Sequence, residues 1–300
     1  VSLQAETYGN QQAILASFPY WIAGLFTNIA APTFWFLSGV SLALFSASRR
    51  RRGVSEGDIS RHLLIRSLVI IVLDLTVCWL AWSGKTPYLH VLLSIGFCLL
   101  VMSFSRRLNI RLFFIITLSL LIAYQVALPT IASSLSQTEF FLPAFFLSYS
   151  THTKVAVEFS IFGWGTLMGL GYVLGQRASS ERFQQPKTWA IVGGTLWAGW
   201  VLLRIWGTFG DLTPMQPGQA WYYFLIMSKT PPSLTFLCFN LGIASFLLAG
   251  LFQFNHRLKK WYIHWIVICG QVSLFYFAAH IIGYGLLGRL VRLLELPVPG

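Results

Sequence analysis

Eight stretches of this chain are each long and apolar enough to cross a lipid bilayer, and that feature constrains its fold more than any other. The hydrocarbon core of a membrane is spanned by roughly 20 residues of helix. Runs of that character occupy residues 31–48, 63–82, 89–105, 112–128, 155–176, 188–206, 233–252 and 265–288. Backbone in lipid finds no water to bond, so N–H and C=O groups must be satisfied within the segment. The runs lack the apolar/polar alternation of a membrane barrel strand and therefore read as helices. A ninth stretch, 13–30, reads as a partial or interfacial helix leading into the first span. The expected fold class is all-α, a polytopic membrane helix bundle in a single domain over residues 1–300, with 1–30 as an outer segment and 31–290 as the helical core. No internal repeat, low-complexity tract or soluble linker divides it.

Composition agrees with that class. Charged residues make up 10% of the chain, where a soluble domain carries about 25%. The net charge of +12 sits in short clusters between apolar runs and not along one polar surface, which argues against nucleic acid as a partner and for the lipid bilayer. Fifteen of the twenty-one basic residues fall on alternate loops: Arg49, Arg50, Arg51, Arg52, Arg61 and Arg66, then Arg106, Arg107 and Arg111, then Arg177, Arg182 and Lys187, then Arg257, Lys259 and Lys260. Lys85, Lys154, Lys229, Arg289 and Arg292 fall on the other side. By the positive-inside rule the crowded side faces the cytoplasm and both termini of this chain face outward. The first twelve residues hold neither the basic nor the apolar region of a signal peptide, so an upstream segment is expected before Val1.

Polar residues inside apolar runs are the clearest pointers to chemistry, because a charge at the bilayer centre costs at least about 2.5 kcal/mol and needs a partner or water. Asp74 lies eleven residues into its run, about 16 Å along a helix. His280 lies between Tyr276 and Tyr284, four residues to either side; a histidine there can shuttle a proton or accept an acyl group, or simply pack. Glu158, His90 and Arg204 fall toward the outer ends of their runs, with Lys229 and His152 in adjoining loops. Together they can line an outward-facing polar cavity; singly, each reads as well as a residue whose stem snorkels at the membrane edge. The outer loops 129–154 and 207–232 are long enough to cap such a cavity. Cys78, Cys98, Cys238 and Cys269 are spread through apolar runs without metal-ligand spacing, so they read as packing residues, and no metal is expected. Gly163, Gly165, Gly169, Gly171 and Gly175 form overlapping small-xxx-small patterns that let a neighbouring helix approach closely.

Four ordered motifs carry a family resemblance. Ala31-Pro-Thr-Phe-Trp-Phe-Leu-Ser-Gly-Val-Ser-Leu-Ala-Leu, followed by the arginine cluster, resembles the first core span of bacterial relatives of heparan-alpha-glucosaminide N-acetyltransferase, within the transmembrane acyltransferases. Trp164-Gly-Thr-Leu-Met-Gly-Leu-Gly-Tyr-Val-Leu-Gly, Ser228-Lys-Thr-Pro-Pro-Ser-Leu and Val272-Ser-Leu-Phe-Tyr-Phe-Ala-Ala-His are similar to three later elements of that family, the last placing His280 on its histidine. The resemblance spans roughly 31–290. It implies transfer of an acyl (acetyl) group from cytoplasmic acyl-CoA, as donor substrate, to a sugar or glycan acceptor on the far side of a bacterial inner membrane. In those terms His280, Asp74 and Glu158 are the candidate catalytic residues. Arg49, Arg50, Arg51, Arg52, Arg61 and Arg66 are candidates for the CoA phosphates, and Lys229, His90 and Arg204 for the acceptor. The family's opening helix, with its Asp-x-x-Arg-Gly signature and a following histidine, has no counterpart here, and the region around Phe18 contains no histidine. Three readings therefore stay open: a membrane acyltransferase, a catalytically silent relative acting as an accessory subunit beside other membrane proteins, and a transporter built on Asp74.

Overall fold

The apolar runs fold as helices in the computed structural model, which describes residues 18–78, 88–135, 138–148, 150, 153, 155–219, 221–254 and 261–294. The first helix, α1 (Phe18–Arg51), joins most of the stretch expected as a partial helix to the first span in one element of 34 residues. Pro32 lies inside it and removes the donor that would bond the Asn28 carbonyl. Helix α2 (Glu56–Leu73) starts on a Ser55 cap, whose side chain accepts from the Asp58 amide, and runs on into a π-helical turn, Asp74–Cys78. After the two-residue strand β1 (Tyr88–Leu89) comes α3 (Val91–Ser105), then α4 (Ile110–Leu135) and the short α5 (Phe141–Phe146). A second short strand, β2 (Ala156–Val157), precedes α6 (Ile161–Gly175), α7 (Glu181–Gln184) and α8 (Pro186–Trp206). A 3-10 turn (Trp221–Leu225) leads to α9 (Leu234–Gln253), and α10 (Trp261–Gln271) and α11 (Ser273–Leu293) close the chain.

Helix α6 is the centre of the bundle. It packs along α1 and α4 and touches α3, while α8 pairs with α9 and α2 with α3. Its glycines make this possible. A β-carbon at Gly171 would overlap the Phe36 carbonyl oxygen of α1, and one at Gly39 of α1 would overlap the Met168 carbonyl of α6. The two backbones thus touch through a reciprocal pair of small residues, the close approach that the glycine spacing implied. Trp35 and Trp164 fill the space beside this contact, fully buried, with ring centroids 6.4 Å apart.

Large apolar side chains cover the outside. Ile65 on α2, Val126 on α4, Leu202 and Ile205 on α8 and Leu247 on α9 are all more than half exposed, a surface suited to lipid and not to water. The segments Thr27–Arg51, Ile110–Leu135, Pro186–Trp206 and Leu234–Gln253 are each long and apolar enough to cross a membrane, and Val91–Ser105, Ile161–Gly175 and Ser273–Gly288 are shorter apolar helices. The molecule is a polytopic helical membrane bundle.

Two departures from the expected spans bear on function. The run 155–176 enters its helix only at Ile161, because residues 156–157 pair in parallel with 88–89, Tyr88 opposite Ala156 and Leu89 opposite Val157. The run 265–288 is interrupted at Val272, between Gly270 and Ser273, residue types that loosen a helix. Lys85, His152, Lys154, Arg257, Lys259 and Lys260 lie outside the described residues.

Candidate active site

The β1/β2 pairing brings together two residues that are far apart in the sequence. Continuing its register by one residue sets His90 beside Glu158. His90 caps α3 in an extended conformation. Its backbone amide donates to Asp74 Oδ2 at 3.0 Å, so the carboxylate at the π-helical turn holds the start of α3 in place. The wider turn of a π-helix re-aims a side chain relative to the α-helix before it, and here it sets Asp74, fully buried, against β1 and α11.

Around that junction lies a compact set of ionisable groups. Glu158 Oε1 accepts from Lys229 Nζ at 3.3 Å, and the ammonium sits 5.6 Å from the centre of the Phe159 ring. His90 packs between Phe159 (5.9 Å) and Phe277 of α11 (5.2 Å). Glu158, Lys229 and His280 all act electrostatically on the His90 ring. His280 lies one turn beyond Phe277, 5.1 Å from its ring. Its Nδ1 is 3.0 Å from the Tyr276 carbonyl oxygen, an atom that only accepts. In the neutral ring this contact puts the proton on Nδ1 and leaves the lone pair on Nε2. The tertiary fold thus gathers Asp74, His90, Glu158, Lys229 and His280 from five segments at one end of the bundle.

Lys229 is held by its own loop. Ser228 Oγ donates to the Pro231 carbonyl, and Ser233 donates to the Ser228 carbonyl through both its amide and its hydroxyl. The buried Gln125 of α4 donates to the Pro232 carbonyl (3.1 Å) and accepts from the Leu234 amide (2.9 Å), so the loop is locked to a neighbouring helix at both sides of the α9 cap. Gln125 was not singled out from the sequence; a lone polar residue late in an apolar run was its one signal.

Arg204 is placed differently from the others. Its guanidinium is fully buried and pairs with Asp211, and it also donates to the carbonyls of Thr213, Tyr223 and Phe224. Stacked 5.4 Å over Phe224, it closes the 207–232 loop that leads to Lys229. These bonds all run to the protein itself.

At the opposite end, roughly 22 Å away along the fifteen residues of α3, the basic loops converge on a cavity of about 350 Å³. Arg50, Glu56, Arg106, Arg107, Leu108, Ile110, Tyr172 and Gln176 line it. Of the arginines expected to meet phosphate, Arg50 alone is in this lining. Arg49 lies over Phe45 at 5.3 Å, and Arg51, Arg52, Arg61 and Arg66 are exposed. Arg106 and Arg107, read from the sequence as orientation charges, line it beside Arg50. Glu56 bonds both Arg50 and the fully buried Arg106, and Arg107 reaches the Glu56 carbonyl and Ser60 Oγ. The hydrogen bond from Arg50, and then that from Arg106, hold the Glu56 carboxyl below the usual carboxylate range. The pair's contribution to stability is therefore complete above the ordinary glutamate range near 4.5 and is lost only as pH falls through the lowered value.

No curated protein and no solved structure matches this chain. A family model does: the one described as heparan-alpha-glucosaminide N-acetyltransferase, catalytic, matches residues 6–209. That range includes Asp74, His90, Glu158, Arg204 and every residue of the basic cavity, and it covers about two thirds of the sequence. The chain therefore belongs to the family of the heparan-alpha-glucosaminide N-acetyltransferase catalytic domain, a membrane acetyltransferase-like family.

Proposed function

We propose that this protein moves an acetyl group from acetyl-CoA, held at the cytoplasmic end of the bundle, to an amine or hydroxyl of a sugar or glycan at the other end. The observation that carries the proposal is the clustering of Asp74, His90, Glu158, Lys229 and His280 in a chain of this family, across the bundle from a cavity lined by three arginines. The separation of the two sites, roughly one fifteen-residue helix, is of the order of an extended acyl-pantetheine arm.

The residues divide the work by their chemistry. Arginine forks suit the phosphates of CoA, which places the phosphate-bearing end of the donor against Arg50, Arg106 and Arg107. His280 Nε2 takes the proton from the acceptor amine or hydroxyl as its nitrogen or oxygen attacks the thioester carbonyl. The C–N or C–O bond forms, the C–S bond breaks, and the proton passes to the departing thiolate. Glu158 and Lys229 supply one negative and one positive handle for the acceptor, and Asp74 fixes His90 through its amide. Phe159 and Phe277 flank the cluster and lower the local dielectric, which strengthens each of these interactions.

Purified protein in lipid nanodiscs should bind acetyl-CoA and transfer radiolabelled acetyl to an amino sugar. His280→Ala should lower turnover by about a hundredfold or more while leaving thermal unfolding unchanged, since the side chain is exposed. Acetyl-CoA binding without transfer, equal in the wild type and His280→Ala, would leave the accessory-subunit reading in its place.

A further inference from the structure

We infer that Glu56 is a built-in counter-ion of the basic cavity, occupying on Arg50 the place that an incoming phosphate must take, and that it sets how tightly a phosphorylated ligand is held there. The inference rests on the proposed acetyl-CoA reading for the identity of the ligand, but its geometry is independent of that reading.

Three guanidinium groups and one carboxylate face the cavity. The carboxylate is shared between arginines of unequal freedom. Arg106 is fully buried, and besides Glu56 Oε2 it bonds the Glu56 carbonyl and Ser60 Oγ. Ser60 Oγ itself donates to the Ser103 carbonyl, and the Arg106 carbonyl accepts from Tyr172 Oη at 3.2 Å. This arginine is anchored at both its ends. Arg50 is held less firmly: its side chain is 39% exposed, it bonds Glu56 Oε1 and the Tyr172 hydroxyl through its side chain alone, and it lies in the last turn of its helix. An anion arriving from the aqueous side meets the exposed Arg107 and Arg50, the latter paired to a carboxylate that is itself 42% exposed.

Binding is then an exchange. A phosphate takes the fork of Arg50 from Glu56, and Glu56 keeps Arg106 through its second oxygen. The exchange costs the Arg50–Glu56 bond and adds repulsion between the carboxylate and the phosphate. Both costs vanish when the carboxylate is replaced by an amide, which keeps an oxygen that accepts from Arg106. Glu56 therefore weakens anion binding in return for keeping two arginines ordered without a ligand. A residue whose role is scaffolding alone would have the opposite effect, because loosened arginines bind phosphate less well.

The test is calorimetric titration of the full chain in nanodiscs with adenosine 3′,5′-bisphosphate, which carries phosphates but no thioester. Glu56→Gln is expected to lower Kd about five- to tenfold at fixed ionic strength, and Arg50→Gln to raise it. Because Glu56→Gln also removes charge from beside the buried Arg106, Glu56→Asp serves as the second variant. Its carboxylate is one methylene shorter, is drawn back from Arg50, and should bind the bisphosphate more tightly than wild type by a smaller factor. Unchanged or weaker binding in folded Glu56→Gln, or in Glu56→Asp where the amide variant does not fold, overturns the counter-ion role. If wild type binds the bisphosphate and the variants tighten it, yet acetyl-CoA does not compete, the counter-ion stands and the acetyl-CoA reading of this cavity falls. If no variant and not the wild type binds the bisphosphate, the anion site itself is overturned.

Discussion

Arg204 and Glu158 show how one kind of residue, a charge near a membrane edge, takes two roles according to its neighbours. Arg204 has every direction of its guanidinium engaged by Asp211 or by backbone carbonyls. Removing one side of a fully buried ion pair leaves the other charge uncompensated, at a cost of about 3–5 kcal/mol. Asp211→Ala should therefore lower the thermal unfolding midpoint of the nanodisc-embedded protein sharply. Replacing both partners together, as Arg204→Met with Asp211→Leu, should recover much of that loss; a double variant as unstable as the single one would show the loop to depend on the carbonyl contacts instead. Glu158 and Lys229 keep a longer contact of 3.3 Å, with slight exposure, which suits the exchange of partners that the proposed function asks of them. The two cases could not be separated in the sequence, where both charges stand near the outer ends of apolar runs. What distinguishes them is the number of carbonyls within reach, and that depends on how the 207–232 loop folds back.

At the scale of elements, α6 is the clearest case of composition dictating packing. Its glycines present no side chain to α1, so the two backbones meet directly. Gly171→Val would drive a branched side chain into the Phe36 carbonyl, and the α1–α6 contact would have to open. The expected outcome is loss of folded, monodisperse protein on extraction. Gly194 on α8, which has open space around it, is the control: Gly194→Ala should be tolerated or stabilise by up to about 1 kcal/mol. The small-residue spacing was legible without a structure because it is local to one helix. The β1/β2 bridge was not, since two residues of strand inside apolar runs leave no periodicity to read. That bridge is nevertheless what brings His90 alongside Glu158.

For the whole molecule, the convergence of Arg50, Arg106, Arg107 and the end of α6 on one cavity puts alternate loops at the same end of the bundle, as charge alternation requires. Single cysteines introduced at Arg52 and at Gln216, both exposed, should react with a membrane-impermeant thiol reagent from opposite faces of oriented vesicles, Arg52→Cys from the cytoplasmic face. Labelling of both from one face would overturn the proposed topology. The membrane class, the helices, their approximate limits and the resemblance to an acetyltransferase family follow from the sequence alone, because bilayer thickness and the cost of exposed backbone act on each segment separately. Which arginines meet in the cavity, which carboxylate is spent on structure, and that Asp74 and His280 join the outer group of His90, Glu158 and Lys229 while Arg204 is engaged within its own loop were decided only by the tertiary structure. Those facts are distances between segments up to about two hundred residues apart, and side-chain reach sets them once the helices have packed.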